Sequence, residues 1–199
     1  MARQLHAIVA GAGIGGLLAA VVLARAGARV TVLERARVLE ESGAGLQLAP
    51  NATRCLENLG ILDRVSAFAS APELLRIRRG RDGRDLVRLP LGPIADFRWG
   101  GPWFVIHRAD LQRVLVEACA TMPGIAIRTG LAVSGFAQSS TGVEVGARAG
   151  DQIERISGDF LIGADGLRSL VRAHLGLGAA DAPVWSGRTA WRALVPARE

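Results

Sequence analysis

Residues 7–24 read AIVAGAGIGGLLAAVVLA, an uncharged run that admits two incompatible structures. Its length reaches the lower limit for a membrane-spanning helix, and Gly11 and Gly15 have the GxxxG spacing with which such helices pack. Glycines at 11, 13, 15 and 16, however, each weaken a helix by about 1 kcal/mol relative to alanine, so a span here breaks near its middle. A secretory signal fits no better, because the chain runs from Ala24 straight into RAGARVTVLER without an export-type cleavage region. The same glycines suit a tight turn between a strand and a helix. LHAIVA (5–10) is a short apolar strand, and Leu17–Ala26 supplies helix formers that stop at Gly27. ARVTVLE (28–34) is a β-branched run with no polar face, as expected of a parallel strand covered on both sides. The first 34 residues therefore predict a βαβ unit.

Composition supports a packed domain. The 199 residues are 50% apolar, enough for a sizeable core. Cys55 and Cys119 are far apart, form no CxxC, and have no metal-type spacing to His6, His107 or His174, so neither a disulfide framework nor a metal site is expected. A reducing cytoplasm is the default location. All 24 basic residues are arginines, and the net charge is +6. The densest group (Arg76, Arg78, Arg79, Arg81, Arg84, Arg88) is interleaved with Asp82 and Asp85, which reads as a solvated hairpin and not as a nucleic-acid surface.

Further along, GAGLQLAP (43–50) reads as a loop, followed by a helix from Asn51 to Leu59, a stop at Gly60 and a short helix to Phe68. LLRIRR and RDLVRL flank a Gly80–Gly83 turn and predict an antiparallel hairpin in a different sheet. WFVIH (103–107) is a strand, and ADLQRVLVEACA (109–120) is an amphipathic helix with Leu111, Val114, Leu115 and Ala118 on one face. IAIRTG, LAVSGFAQ and VEVGARAG follow as short strands. DFLIGADG (159–166) is an apolar strand ending in an acid, LRSLVRAHLG is a helix, and GRTAWRALVP (187–196) alternates like an exposed strand. The domain reading assigns 1–72 and 101–177 to a nucleotide-binding unit, and 73–100 with 178–199 to part of a second unit.

Gly11, Gly13 and Gly16 make GxGxxG between strand and helix. The first glycine permits the turn, the second admits a pyrophosphate, and the third lets the helix pack on the strand. The helix N-terminus then offers N–H groups and a positive dipole end to phosphate. Glu34, at the end of the second strand, is placed to accept ribose hydroxyls. The combination specifies a dinucleotide, and a carboxylate at that point disfavours a 2′-phosphate. FAD and NAD remain open on the turn alone. Arg108, at a helix start, suits a phosphate or ribityl group, or is an ordinary surface arginine. Asp165 and Gly166 end a strand where ligands of open α/β sheets collect, or Asp165 is a helix cap.

GAGIGG with Glu34-Arg35, GAGLQLAPNATRCLENLG (43–60), HRADL (107–111), LIGADGLRSLVR (161–172) and GRTAWRALVP together resemble the single-component FAD-dependent aromatic hydroxylases. The likeness is to the branch of salicylate hydroxylase, 3-hydroxybenzoate 6-hydroxylase and 6-hydroxynicotinate 3-monooxygenase. It implies a Rossmann-like α/β FAD-binding domain with a parallel sheet, plus part of a mostly antiparallel substrate-domain sheet. It also implies FAD on the turn of Gly11, Gly13, Gly15 and Gly16, with Glu34 and Arg35 at the adenosine ribose and Gln47 beside the flavin. Arg108 would lie near the ribityl-pyrophosphate, Leu131 beside the adenine portion, and Asp165 in a second fingerprint. NAD(P)H as reductant, O2, a C4a-hydroperoxide and a small aromatic acid complete the implied reaction. Where the 6-hydroxynicotinate enzymes have a histidine base this chain has Gln47, which cannot take a proton and favours the salicylate-like branch. Arg192, in AWRALV, is a candidate for the substrate carboxylate. The chain lacks the family's GDAAH-type third fingerprint, so it reads as a front half whose catalytic residues lie elsewhere. The contrasting expectation is a FAD- or nucleotide-binding fragment without catalysis.

Overall fold

The computed structural model describes residues 3–39, 45–176 and 183–191. These described residues fall into two compact units, 3–39 with 115–176 and 183–191, and 45–114.

The first unit opens with β1 (His6–Ala10), α1 (Ile14–Arg25) and β2 (Arg29–Glu34), the predicted βαβ. Both strands are buried on both faces. Burying Ile8, Val9, Val30, Val32 and Leu33 contributes about 1.5–3 kcal/mol for each side chain before entropy is counted.

In the second unit, β3 (Gly45–Leu48) is followed by α2 (Pro50–Asn58), α3 (Leu62–Ser66) and the two-residue β4 (Ala69–Ser70). Then come β5 (Leu74–Arg78), β6 (Asp85–Pro90), α4 (Pro93–Trp99) and β7 (Phe104–His107). β3 and β4 flank β7 in an antiparallel sheet, and β5–β6 is the predicted hairpin, a sheet of its own. The arginine cluster is a solvated hairpin as expected: Arg76 and Arg78 bond Asp85, and Arg79 bonds Asp82.

α5 (Arg108–Ala120) leads back to the first unit, where β8 (Ile125–Thr129), β9 (Ala132–Ser139), β10 (Gly142–Ala149), β11 (Gln152–Gly158), β12 (Phe160–Gly163) and α6 (Leu170–His174) complete the description. The parallel sheet runs β12-β1-β2-β8, and β9–β11 make a separate antiparallel meander. Their shared core holds Ile8, Leu33, Leu131, Val143, Val145 and Ala147. Arg128 on β8 ties the two sheets together through both oxygens of Glu154 on β11, at 2.6 and 2.8 Å.

Several expectations are corrected. GAGLQLAP is not wholly loop, because Gly45–Leu48 pairs with β7, a tertiary partner that local composition does not reveal. The last helix begins at Leu170, not Leu167, because Ser169 is its N-cap and accepts from Arg172 N–H at 2.9 Å. β4, α4 and β11 were not anticipated. Residues 187–191 form no strand, and Trp191 is 92% exposed. Arg192 and the rest of that stretch lie outside the described residues.

Both cysteines are free thiols. Cys55 is exposed on α2, whereas Cys119 is buried against the Leu17 carbonyl oxygen at 3.7 Å. Burial pushes the Cys119 thiol up to about 11.

Candidate dinucleotide site

β1 delivers the chain into the glycine turn at the carboxyl edge of the parallel sheet. Gly11 has φ +102°, and its N–H donates to Leu33 O at 2.8 Å. A Cβ on Gly11 would lie 2.4 Å from Ala164 O, and one on Gly16 would lie 1.9 Å from Gly11 O. These two glycines are required by the protein's own backbone. Gly13 and Gly15 differ, since a Cβ on either meets nothing within 4 Å. At Gly13, with φ −69° and ψ 176°, neither backbone strain nor a protein neighbour calls for glycine. The open space there is the cradle a pyrophosphate needs. No side chain caps α1, and no acid occupies its first turn, so the positive end of its dipole faces that space.

Glu34 ends β2 beside the turn. Its Oε2 accepts the Ala12 N–H at 2.8 Å and its Oε1 accepts the Ala36 N–H at 2.9 Å. An ionised carboxylate has about four acceptor positions, so the bonded carboxylate keeps capacity for vicinal hydroxyls. Arg35 follows it, exposed. Leu131 donates its N–H to Glu34 O at 2.8 Å, and Gly130 donates to Ala36 O at 2.9 Å. Leu131 is therefore beside Glu34, but its side chain is buried in the core and only its backbone edge is available to a ligand.

Asp165 enters from the other neighbour of β1. Ala164 N–H donates to Ala10 O at 2.8 Å, which brings Ala164 and Asp165 against Gly11. The Asp165 carboxylate turns onto α6, accepting from the Ser169 hydroxyl at 2.5 Å and from the N–H groups of Leu170 and Val171 at 2.7 and 3.1 Å. Burial pushes its pKa upward, but the bonds from Ser169 and the helix N–H groups prevail and hold it below the usual carboxylate value. It is thus a helix cap whose backbone borders the turn.

Gly11, Gly13, Gly15, Gly16, Glu34, Arg35, Leu131 and Asp165 all belong to the first unit. Gln47 and Arg108 belong to the second. There, Gly45 pairs with His107 and Gln47 with Val105, so one strand pair carries Gln47 and delivers Arg108 to the start of α5. Both side chains are exposed. Sequence reasoning did not find the Ala12 and Ala36 N–H groups or Ser169. For Ser169 a signal existed, since Ser one residue before a helical run is a capping residue. Among the described residues no cluster could hold a metal, and no helix is long and apolar enough to cross a membrane.

A protein-family model described as an FAD binding domain matches residues 4–187. The chain belongs to the FAD-binding-domain family. Within this family it is 40% identical over 192 residues to 3-hydroxybenzoate 6-hydroxylase 1 of Aquipseudomonas alcaligenes, covering 96% of the chain and 48% of that protein. It is 36% identical over 199 residues to 3-hydroxybenzoate 6-hydroxylase of Klebsiella oxytoca, covering 100% of the chain and 49% of that protein. A crystal structure of Klebsiella pneumoniae HpxO complexed with FAD and uric acid superposes with a TM-score of 0.72 at 31% identity, covering 85% of the chain and 41% of that structure. The chain thus spans about half the length of the curated relatives it matches. FAD is the family's cofactor, and the cradle at Gly13 and Gly15, the uncapped α1 and the Glu34 carboxylate fit its ADP portion.

Proposed function

We propose that this chain is the FAD-binding part of a flavin monooxygenase that hydroxylates a small aromatic acid of the salicylate type, using NAD(P)H and O2. The observation that carries the reading is the cradle at Gly13, where glycine answers to no protein neighbour. Bound FAD supplies electron transfer and oxygen activation.

The chain's own residues bind and orient. The α1 N-terminus holds the pyrophosphate, Glu34 accepts the adenosine ribose hydroxyls, and the Leu131 backbone edge borders the adenine. Arg35 adds positive charge at the ribose, and the Asp165 segment forms the wall beside Gly11. By the family resemblance, Gln47 is a hydrogen-bonding neighbour of the flavin ring without proton transfer, and Arg108 a partner of the ribityl-pyrophosphate. The β5–β6 hairpin begins the substrate-facing part.

The experiment is to titrate the purified 199-residue chain with FAD, following flavin fluorescence, and then to assay NADH and NADPH oxidation with salicylate or 3-hydroxybenzoate. Saturable FAD binding with oxidation stimulated by the acid supports the proposal. No FAD binding overturns it. FAD binding without stimulated oxidation favours a second reading, a FAD-binding segment that does not catalyse, which the match to about half of each relative makes specific.

A further inference from the structure

The densest charge in the chain lies on the β5–β6 hairpin. Between Leu74 and Pro90, six arginines stand against two aspartates, so +4 of the chain's +6 is carried there. Register sorts these side chains by face. Leu75 opposes Leu89 and Ile77 opposes Val87 on one face, and Arg76 opposes Arg88 on the other; a register shift between Ile77 and Arg78 then sets Arg78 opposite Asp85, whose carboxylate bonds both Arg76 and Arg78. Like charges directly across a ladder repel, so the Arg76–Arg88 pair disfavours the hairpin. Asp85 is the acid set among them. Its oxygens accept from Arg76 Nη2 at 3.0 and 2.9 Å and from Arg78 Nε at 3.1 Å, and Arg88 Nε lies 3.8 Å away. One carboxylate against three exposed guanidiniums leaves the face at +2. Each guanidinium has five N–H donors in a planar fork that matches phosphoryl oxygens, and Asp85 cannot occupy all of them.

We propose that this arginine face is a binding site for a phosphoryl dianion, taken up either free or as the pyrophosphate of a nicotinamide dinucleotide. Two positive charges held in register by one carboxylate match two negative charges on adjacent phosphoryl groups. The ligand relieves the repulsion between Arg76 and Arg88, which the unliganded hairpin bears. The dinucleotide source rests on the monooxygenase reading, whereas the site itself does not.

The test is to titrate inorganic pyrophosphate into the 199-residue chain saturated with FAD, alongside Arg76→Gln, Arg88→Gln and Arg81→Gln variants. Arg81, on the turn, removes the same charge from off the ladder. Both ladder arginines are exposed, and circular dichroism of each variant checks that the fold is kept before the titration is read. Saturable binding weakened about tenfold by Arg76→Gln and by Arg88→Gln, but less than about twofold by Arg81→Gln, is expected. No saturable binding at millimolar pyrophosphate, or equal losses in all three variants, overturns the proposal. Displacement by NADH assigns the dinucleotide as the source, and its failure to displace assigns free pyrophosphate, with the site standing in both cases. The two readings fail separately: failure of the flavin reading appears as absent FAD saturation of the native chain, whereas the hairpin still titrates with pyrophosphate there and in Gly13→Val, whose substitution lies on the glycine turn and not on the hairpin.

Discussion

The Ala12 N–H donates to Glu34 Oε2 at 2.8 Å, joining the glycine turn to the end of β2 across 22 residues of sequence. Because the other oxygen takes the Ala36 N–H, one carboxylate holds two turns in place. Glu34→Gln turns an amide N–H₂ toward one of these donors. FAD affinity is expected to fall about tenfold or more, since a hydrogen bond to a charged group contributes about 1.5–3 kcal/mol. Fluorescence titration of the variant checks this, and an unchanged dissociation constant would rule out Glu34 as a cofactor ligand.

Gly13 and Gly16 are expected to respond oppositely. Gly13→Val leaves the thermal midpoint nearly unchanged, because the position is open and its backbone suits any residue, but it abolishes FAD binding. Gly16→Ala drives a Cβ into Gly11 O and destabilises the fold by about 3 kcal/mol or more. Circular dichroism melts paired with FAD titration separate the two. Equal destabilisation by both variants contradicts the cradle.

His6 gives the first unit a pH dependence. Its Nδ1 accepts from Arg29 Nη2 at 2.9 Å, so Nε2–H donates to Thr31 Oγ1, also at 2.9 Å, in the neutral ring. Burial and the Arg29 charge lower its pKa from 6.5. The folded state therefore takes up this proton less readily than the unfolded chain. The His6 contribution is full above pH 6.5 and is lost as pH falls through the lowered folded value. Urea midpoints between pH 8 and pH 5 should decline in the native chain and flatten in His6→Gln. Parallel declines in the two proteins would remove His6 from the account.

Ser169→Ala removes the hydroxyl that caps α6 and donates to Asp165. A loss of about 1 kcal/mol is expected from the cap, with FAD affinity within twofold. Denaturant unfolding measures the first and flavin fluorescence the second. A stability change below about 0.3 kcal/mol would mean that the cap contributes nothing measurable.

The parts of the site that were legible in sequence obey local rules. A strand, GxGxxG, a helix and an acid at the end of the next strand leave little freedom, and the structure assembles them as expected. Asp165 was legible only as two alternatives, and its bonds to Ser169, Leu170 and Val171 show the capping role directly. β3 was hidden because its strand character comes from β7, far along the chain. α4 was hidden because Pro93 and the flanking glycines read as turn punctuation, although proline suits a helix's first turn and Gly100 ends it in the left-handed region. β11 was missed because QIERISG is too polar to stand out, and its pairing with β10 fixes it. Gln47 came from family resemblance alone and Arg108 was legible only as two alternatives, since no spacing rule connects their strand pair to the glycine turn.

The contrast between Cys55 and Cys119 equips the protein with two clocks. At neutral pH a maleimide dye reacts at once with the exposed Cys55, giving a single label on the second unit. Cys119 reacts only when its end of α5 lifts away from the Leu17 carbonyl and the thiol meets water. Its slow labelling counts openings of the first unit's core, without any engineered probe.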